Sequence, residues 1–327
     1  MTEACRICGN RENNLIHHAR EMMFGTRDPF DYLECGACGT LQLCEIPDLA
    51  RYYPKDYYSL NAEENDDGAA KSVSKIRLAA RYAENFLLNR KNRLSRLIIR
   101  KQWRFRTYFP DYLKESLLDL EFDSKILDFG CGAGQLLQAL HYYGFRNLTG
   151  ADAFIESDIF YPNGIRVYKR TLREIEPFFD LVMLHHSFEH LPDPCESLRE
   201  IYRLLTPGKI CLIRIPVKSF AWEKYGVNWV QLDPPRHLFL YTERSFRSIA
   251  EKVGFEIAKV VYDSDVFQFY GSEQYVRNIA LNEKTDAESN NFAETITPAQ
   301  IRSWEREAEV LNSEKRGDQA CFYLRKP

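Results

Sequence analysis

Ten residues, Lys125-Ile-Leu-Asp-Phe-Gly-Cys-Gly-Ala-Gly134, constrain this chain more than any others. Ile126, Leu127 and Phe129 make a short apolar run, and glycines follow at 130, 132 and 134. Gln135-Leu-Leu-Gln-Ala-Leu then spaces its apolar residues as a helix lying on a sheet does. The pattern predicts strand, tight glycine turn, helix. The glycines permit positive φ and let the backbone come close to a ligand. The helix start adds N–H groups that have no acceptor within the helix. Asp152 stands twenty-two residues after Gly130, at the end of the next apolar run, Leu148-Thr-Gly-Ala-Asp. An acidic side chain there accepts the two hydroxyls of a ribose. The stretch therefore predicts a nucleoside-bearing cofactor in a doubly wound α/β domain.

The glycine spacing selects the cofactor. A dinucleotide site wants a glycine at the sixth position of its fingerprint, and Gln135 stands there. The pattern Asp128-x-Gly130-x-Gly132-x-Gly134 instead resembles motif I of the class I S-adenosylmethionine-dependent methyltransferases. That resemblance implies cofactor contacts from Asp128, Gly130, Cys131, Gly132 and Gly134 around the methionine end. It also implies contacts from Asp152 and Ala153 at the ribose, Thr171 and Leu172 at the adenine edge, and His185 at the end of the fourth strand.

The N-terminal region carries Cys5-Arg-Ile-Cys8 and Cys35-Gly-Ala-Cys38. Two such pairs supply four thiolates in a tetrahedron, which suits zinc, and four protein ligands leave no open position, so the ion is structural. His17, His18 and Cys44 are bystanders in this reading. Nine cysteines is an odd count. With four of them in metal-ligand pairs, a reducing, cytoplasmic compartment is expected rather than a disulfide framework. Met-Thr-Glu-Ala-Cys lacks the basic and apolar regions of a signal peptide, and no apolar run reaches the roughly eighteen residues of a membrane span.

Between ribbon and core lie two unusual stretches. Arg51-Tyr-Tyr-Pro-Lys-Asp-Tyr-Tyr-Ser59 is dense in tyrosine, either packing the ribbon onto the next domain or walling an acceptor sugar. Residues 71–106 hold twelve Lys or Arg and one acid, Glu84, leaving a net −14 on the rest of a chain that totals −3. Their apolar residues recur at helical spacing, giving a basic amphipathic helix. It is either a solvated face or a contact for phosphates, among them the headgroups of an anionic membrane surface on the cytoplasmic side.

Further on, strands are expected at Ile165–Tyr168, Asp180–Leu184, Ile210–Ile215, Glu256–Tyr262 and Ala320–Leu324, with helices at Ser197–Leu205, Glu243–Val253 and Pro298–Leu311. With the two strands around the glycine turn this makes a seven-stranded Rossmann-like sheet. The division is then 1–60 for the ribbon and tyrosine segment, 61–109 for an acidic linker and the basic helix, and 110–327 for the α/β domain.

The order of ribbon, Tyr-Tyr-Ser segment and core resembles the zinc-containing sugar methyltransferases, including C-methyltransferases of nucleotide-linked deoxysugars and enzymes of bacterial polysaccharide pathways. The residues that carry this are Cys5, Cys8, Cys35, Cys38, Tyr58, the 128–134 loop, Asp152 and His237. The resemblance implies that His237 is the general base, with Tyr58 and His186 next in line. In the sugar C-methyltransferases a glutamate precedes that histidine; here Arg236 does, which leaves carbon or oxygen open as the methyl acceptor. Glu189-His190 reads as architecture of the fourth strand. The expected activity is methyl transfer from S-adenosylmethionine to a nucleotide- or lipid-linked sugar. Its rivals are an RNA methyltransferase, against which the acidic remainder of the chain argues, and a non-catalytic protein that keeps the fold for binding.

Overall fold

The apolar run ahead of the glycines forms a strand in which Ile126, Leu127, Asp128 and Phe129 are all buried, as befits a strand covered on both faces. The structure, a computed structural model, describes residues 3–53, 112–113, 120–282 and 292–327. Tyr58 and the whole of 71–106 lie outside the described residues. In chain order the elements are β1 (Leu15–Arg20), β2 (Pro29–Glu34), β3 (Leu41–Leu43), β4 (Lys125–Phe129), α1 (Gln135–Tyr143), β5 (Asn147–Ala151), β6 (Ile159–Phe160), β7 (Arg166–Tyr168), β8 (Phe179–His185), α2 (Pro194–Leu204), β9 (Leu205–Pro216), α3 (Phe220–Tyr225), β10 (Phe239–Leu240), α4 (Glu243–Val253), β11 (Glu256–Tyr262), α5 (Phe267–Val276), α6 (Phe292–Thr295), α7 (Pro298–Ser313) and β12 (Gln319–Arg325).

Two compact units divide the chain. The first gathers the chain up to Tyr53, His186–Leu198 and Ile213–Tyr323, and the second gathers the remainder. In the second unit β4 pairs in parallel with β5 and β8, and β5 pairs in parallel with β7. The strand order there is β9-β8-β4-β5-β7-β6. In the first unit the end of β9 lies beside β12, and β12 beside β11. Among the described residues these strands number eight rather than the expected seven. The additional one, β6, is a two-residue antiparallel edge on β7, too short to leave a periodic signature. The strand expected from Ile210 begins already at Leu205 and takes in Thr206-Pro-Gly-Lys209, making β9 twelve residues long.

The first unit also builds a four-stranded sheet, β1-β2-β3-β10. Its pairings are antiparallel, with Leu15 opposite Glu34, Leu33 opposite Gln42 and Phe239 opposite Gln42 on the other edge of β3. The ribbon is therefore completed by a strand from far along the chain. Its interior is apolar: Tyr32, Leu33, Leu41, Leu43, Phe239 and Leu240 are buried. Phe246 of α4 packs its ring 4.2 Å from that of Phe322 in β12. α4 ends where the sequence places its stop, with the Gly254 N–H on the Ala250 and Glu251 carbonyls.

Gly150 of β5 lies beside Asp128 in the parallel register. A Cβ there would stand 2.6 Å from the Cys131 Sγ and 2.9 Å from the Leu137 Cδ1. Gly150→Ala should therefore cost about 1–3 kcal/mol through overpacking. A urea melt reads this, and an unchanged midpoint would show that the loop has room to yield.

Candidate functional site

The glycine turn folds as its spacing predicts. Gly130, Gly132 and Gly134 sit at φ 74°, 53° and 84°, where a side chain is strained. The Gly130 N–H bonds the Ala151 carbonyl at 2.7 Å and the Gly134 N–H bonds the Cys131 carbonyl at 2.9 Å. α1 then starts directly at Gly134 with no side-chain cap. Tyr161, which sequence reading passes over, donates its hydroxyl to the Ala133 carbonyl at 2.6 Å and pins the turn from outside.

Asp152 is buried behind this turn. Its Oδ2 accepts the Gly132 N–H at 2.9 Å and its Oδ1 accepts the Phe154 N–H at 2.8 Å. Each oxygen keeps a second lone pair, so Asp152 can brace the loop and still receive hydroxyls. Asp128 is buried beside it, and burial together with the Asp152 charge raises its pKa to about 8. Asp128, held protonated beside the Asp152 carboxylate, gains its charge when a cation enters, which fits the ammonium and sulfonium of S-adenosylmethionine. Of the other expected contacts, Ala153 is exposed, Leu172 is buried and His185 closes β8 with the Tyr112 ring 5.6 Å away. Thr171 is engaged locally, donating its hydroxyl to Glu174 at 2.8 Å in a capping box.

In the first unit the four cysteines come together. Cys5 and Cys38 Sγ are 3.7 Å apart, and Cys8 and Cys35 Sγ are 3.5 Å apart. A tetrahedron with metal–sulfur bonds of ~2.3 Å has edges of about 3.8 Å, so the thiols fit a zinc ion. Gly9 and Gly39 close the two knuckles by donating to the Cys5 and Cys35 carbonyls. His17 and His18 bond Glu34 and Asp31, each at 2.7 Å, and neither they nor Cys44 join the four thiols.

The segment after β8 carries a second cluster. His186, at φ 50°, receives the Arg214 guanidinium on Nε2 at 2.6 Å, and Arg214 in turn bonds Asp263 at 2.7 Å. A guanidinium only donates, so the His186 proton is on Nδ1, 3.5 Å from Glu189 Oε1. His237 is 6% exposed. Its Nδ1 donates to the Gln231 carbonyl at 2.7 Å, and its Nε2 lies 3.8 Å from Glu189 Oε1 and 3.9 Å from Asp233 Oδ2. Burial pushes the His237 pKa down to about 4, so the ring is neutral near pH 7. The His190 ring is 4.9 Å from it and donates from Nδ1 to the Arg236 carbonyl at 2.7 Å. Glu189 is fully buried, and its Oε1 meets the His186 Nδ1–H only at a long 3.5 Å. Burial works to raise its pKa, but the surrounding histidines outweigh that and hold it below the usual range. Glu189 and His190, read from sequence as architecture, thus stand with His237. Arg236 is fully buried and spans Asp233 and Glu21, the latter at 2.8 Å. Of the tyrosine segment, Tyr52 is buried and bonds Asp28 at 2.8 Å.

Residues 99–260 match the family model described as "Methyltransferase domain". The chain has the class I S-adenosylmethionine-dependent methyltransferase fold. The methyltransferase region is similar to the ubiquinone biosynthesis O-methyltransferase of Pseudomonas aeruginosa (strain UCBPP-PA14), 32% identical over 34% of this chain and 54% of that one. The same-named protein of Caulobacter sp. (strain K31) is 29% identical over 32% of this chain and 47% of its own. The chain spans about half the length of these curated relatives. Among solved structures, a SAM-dependent methyltransferase from Archaeoglobus fulgidus is 22% identical, covers 74% of this chain and 99% of its own, and has a TM-score of 0.39. Among the described residues no helix is long and apolar enough to cross a membrane.

Asp128 gives the methyltransferase domain a pH signature. Its native pKa is raised to about 8, so without ligand the fold loses stability as pH rises from the unfolded value of about 4 towards 8. A cationic ligand reverses that preference and releases the proton. S-adenosylmethionine affinity should rise between about pH 6 and pH 8 and level off above, and Asp128→Asn should flatten the slope. Calorimetric titrations across that range check it, and a wild-type affinity independent of pH would remove Asp128 from the cation's surroundings.

Proposed function

We propose that this chain transfers a methyl group from S-adenosylmethionine to a hydroxyl oxygen of a nucleotide- or lipid-linked sugar. The observation that carries the reading is the Gly130–Gly134 turn braced by Asp152, with Asp128 buried beside it. The loop amides and the two carboxylates would hold the methionine end and the ribose. The transfer is an in-line displacement: the oxygen–methyl bond forms as the sulfur–methyl bond breaks, the hydroxyl proton passes to a base, the role that the resemblance gives His237, and the demethylated cofactor leaves. The four thiols would hold a structural zinc. The sugar follows from the likeness of ribbon, Tyr-Tyr-Ser segment and His237 to the sugar methyltransferases. The twelve basic residues of 71–106 favour an acceptor that carries phosphate. Oxygen rather than carbon is favoured by Arg236, which is committed to Glu21 and Asp233 and cannot replace a catalytic glutamate. The names of the curated relatives favour oxygen too.

His237 would serve the acceptor. His186, with its Nε2 occupied by Arg214, is a positioning residue for Glu189 rather than a second base. Labelled S-adenosylmethionine offered with a panel of nucleotide- and lipid-linked sugars should label at least one of them. His237→Gln should lower that turnover roughly a hundredfold with cofactor affinity nearly unchanged. Label passing only to a hydroxylated aromatic ring would replace the sugar reading, and label passing to RNA would replace it with the nucleic-acid one.

A further inference from the structure

Glu189 has no guanidinium or ammonium partner among the described residues. Arg236 is matched by both Glu21 and Asp233, whereas the fully buried Glu189 meets only the His186 Nδ1–H, at a long 3.5 Å, and the His237 ring. A carboxylate without such a partner is costly in a dry interior. His186 does not supply the missing cation. Its Nε2 receives the Arg214 guanidinium at 2.6 Å, which a doubly protonated ring cannot do. One nitrogen of His190, one of His237 and one oxygen of Glu189 lie within 4.8 Å of one another. Both rings give their Nδ1–H to a backbone carbonyl, that of Arg236 for His190 and that of Gln231 for His237, each at 2.7 Å. Such a bond fixes the tautomer and aims the other nitrogen, as it does in metal-ligating histidines. What remains is two imidazole lone pairs and an anionic oxygen.

We propose that Glu189, His190 and His237 hold a divalent transition-metal ion, separate from the four-thiolate site. Imidazole nitrogens suit zinc, iron, nickel or cobalt, whereas magnesium prefers oxygen and retains its water. Three protein ligands leave coordination positions open, unlike the four thiolates. Here the inference rests on the methyl-transfer reading: the open positions take hydroxyl oxygens of the acceptor and anchor it. His237 is then a ligand rather than the base that the sequence leads one to expect. His186 keeps Glu189 oriented, with Arg214 and Asp263 behind it. A left-handed backbone at both His186 and Asp233, φ 50° and 40°, accords with a site held at some cost in strain.

The test is a cobalt titration of the full chain, dialysed against metal-free buffer, followed by visible absorption and metal analysis. Wild type should take up two classes of cobalt, one with thiolate-to-metal charge-transfer absorption and one without. Glu189→Gln and His190→Gln should each weaken the second class about tenfold or more, with the thiolate class and S-adenosylmethionine binding retained as the measure of folding. Magnesium in excess should not displace it. Uptake of the thiolate class alone by wild type would overturn the proposal. So would a second class indifferent to both substitutions, or one displaced by magnesium. If the second class persists but S-adenosylmethionine does not bind, the methyl-transfer reading fails and the metal site stands. If the cofactor binds and only the thiolate class is seen, the reverse holds.

Discussion

A fully buried guanidinium organises the first unit. Arg236 bonds Asp233 through Nε and Nη2, Glu21 at 2.8 Å and the Tyr52 carbonyl at 3.3 Å. Glu21 is itself saturated by the Phe24 and Thr26 N–H groups at 2.8 and 2.9 Å. This network fastens the turn after β1 to the loop that presents His237. Removing one member of such a network leaves a buried charge unpaired, at a cost of about 3–5 kcal/mol. The arginine in place of the expected glutamate is thus not a lost catalytic group. It is the anchor of the loop, and Glu189 brings a carboxylate to His237 from a different part of the chain.

The four-cysteine knuckles connect to the same loop through the small sheet. β10 begins two residues after His237 and pairs with β3. Tyr32 of β2 donates its hydroxyl to the His237 carbonyl at 2.7 Å, and Thr242 at the start of α4 donates to the Cys38 carbonyl at 3.0 Å. Folding energy supplied by a metal on the thiolates would therefore reach the backbone of His237. The ribbon is read best as the frame of the loop that carries His237.

What the sequence showed and what it hid divide by range. The glycine turn, Asp152, the four thiols and the helix stop at Gly254 are local patterns, with spacing set by the backbone itself. Gly150 was missed because its need arises from Cys131 and Leu137 across the register. That Glu189 and His190 stand beside His237 is hidden in the sequence, because His237 lies forty-seven residues on from His190. β10 is two residues long and pairs with a strand almost two hundred residues earlier, which no periodicity reveals. The position of Asp152 at the end of β5 is legible in the sequence, but its two bonds to loop amides are not.

The account depends most on a nucleoside cofactor held by that loop and Asp152. Calorimetric titration of the wild-type chain and of Asp152→Ala with S-adenosylhomocysteine, beside NAD, measures this directly. One equivalent of S-adenosylhomocysteine should bind to wild type, roughly tenfold or more weakly to Asp152→Ala, and NAD should give no binding heat. Equal affinity in both proteins, or binding of NAD in place of S-adenosylhomocysteine, would contradict it.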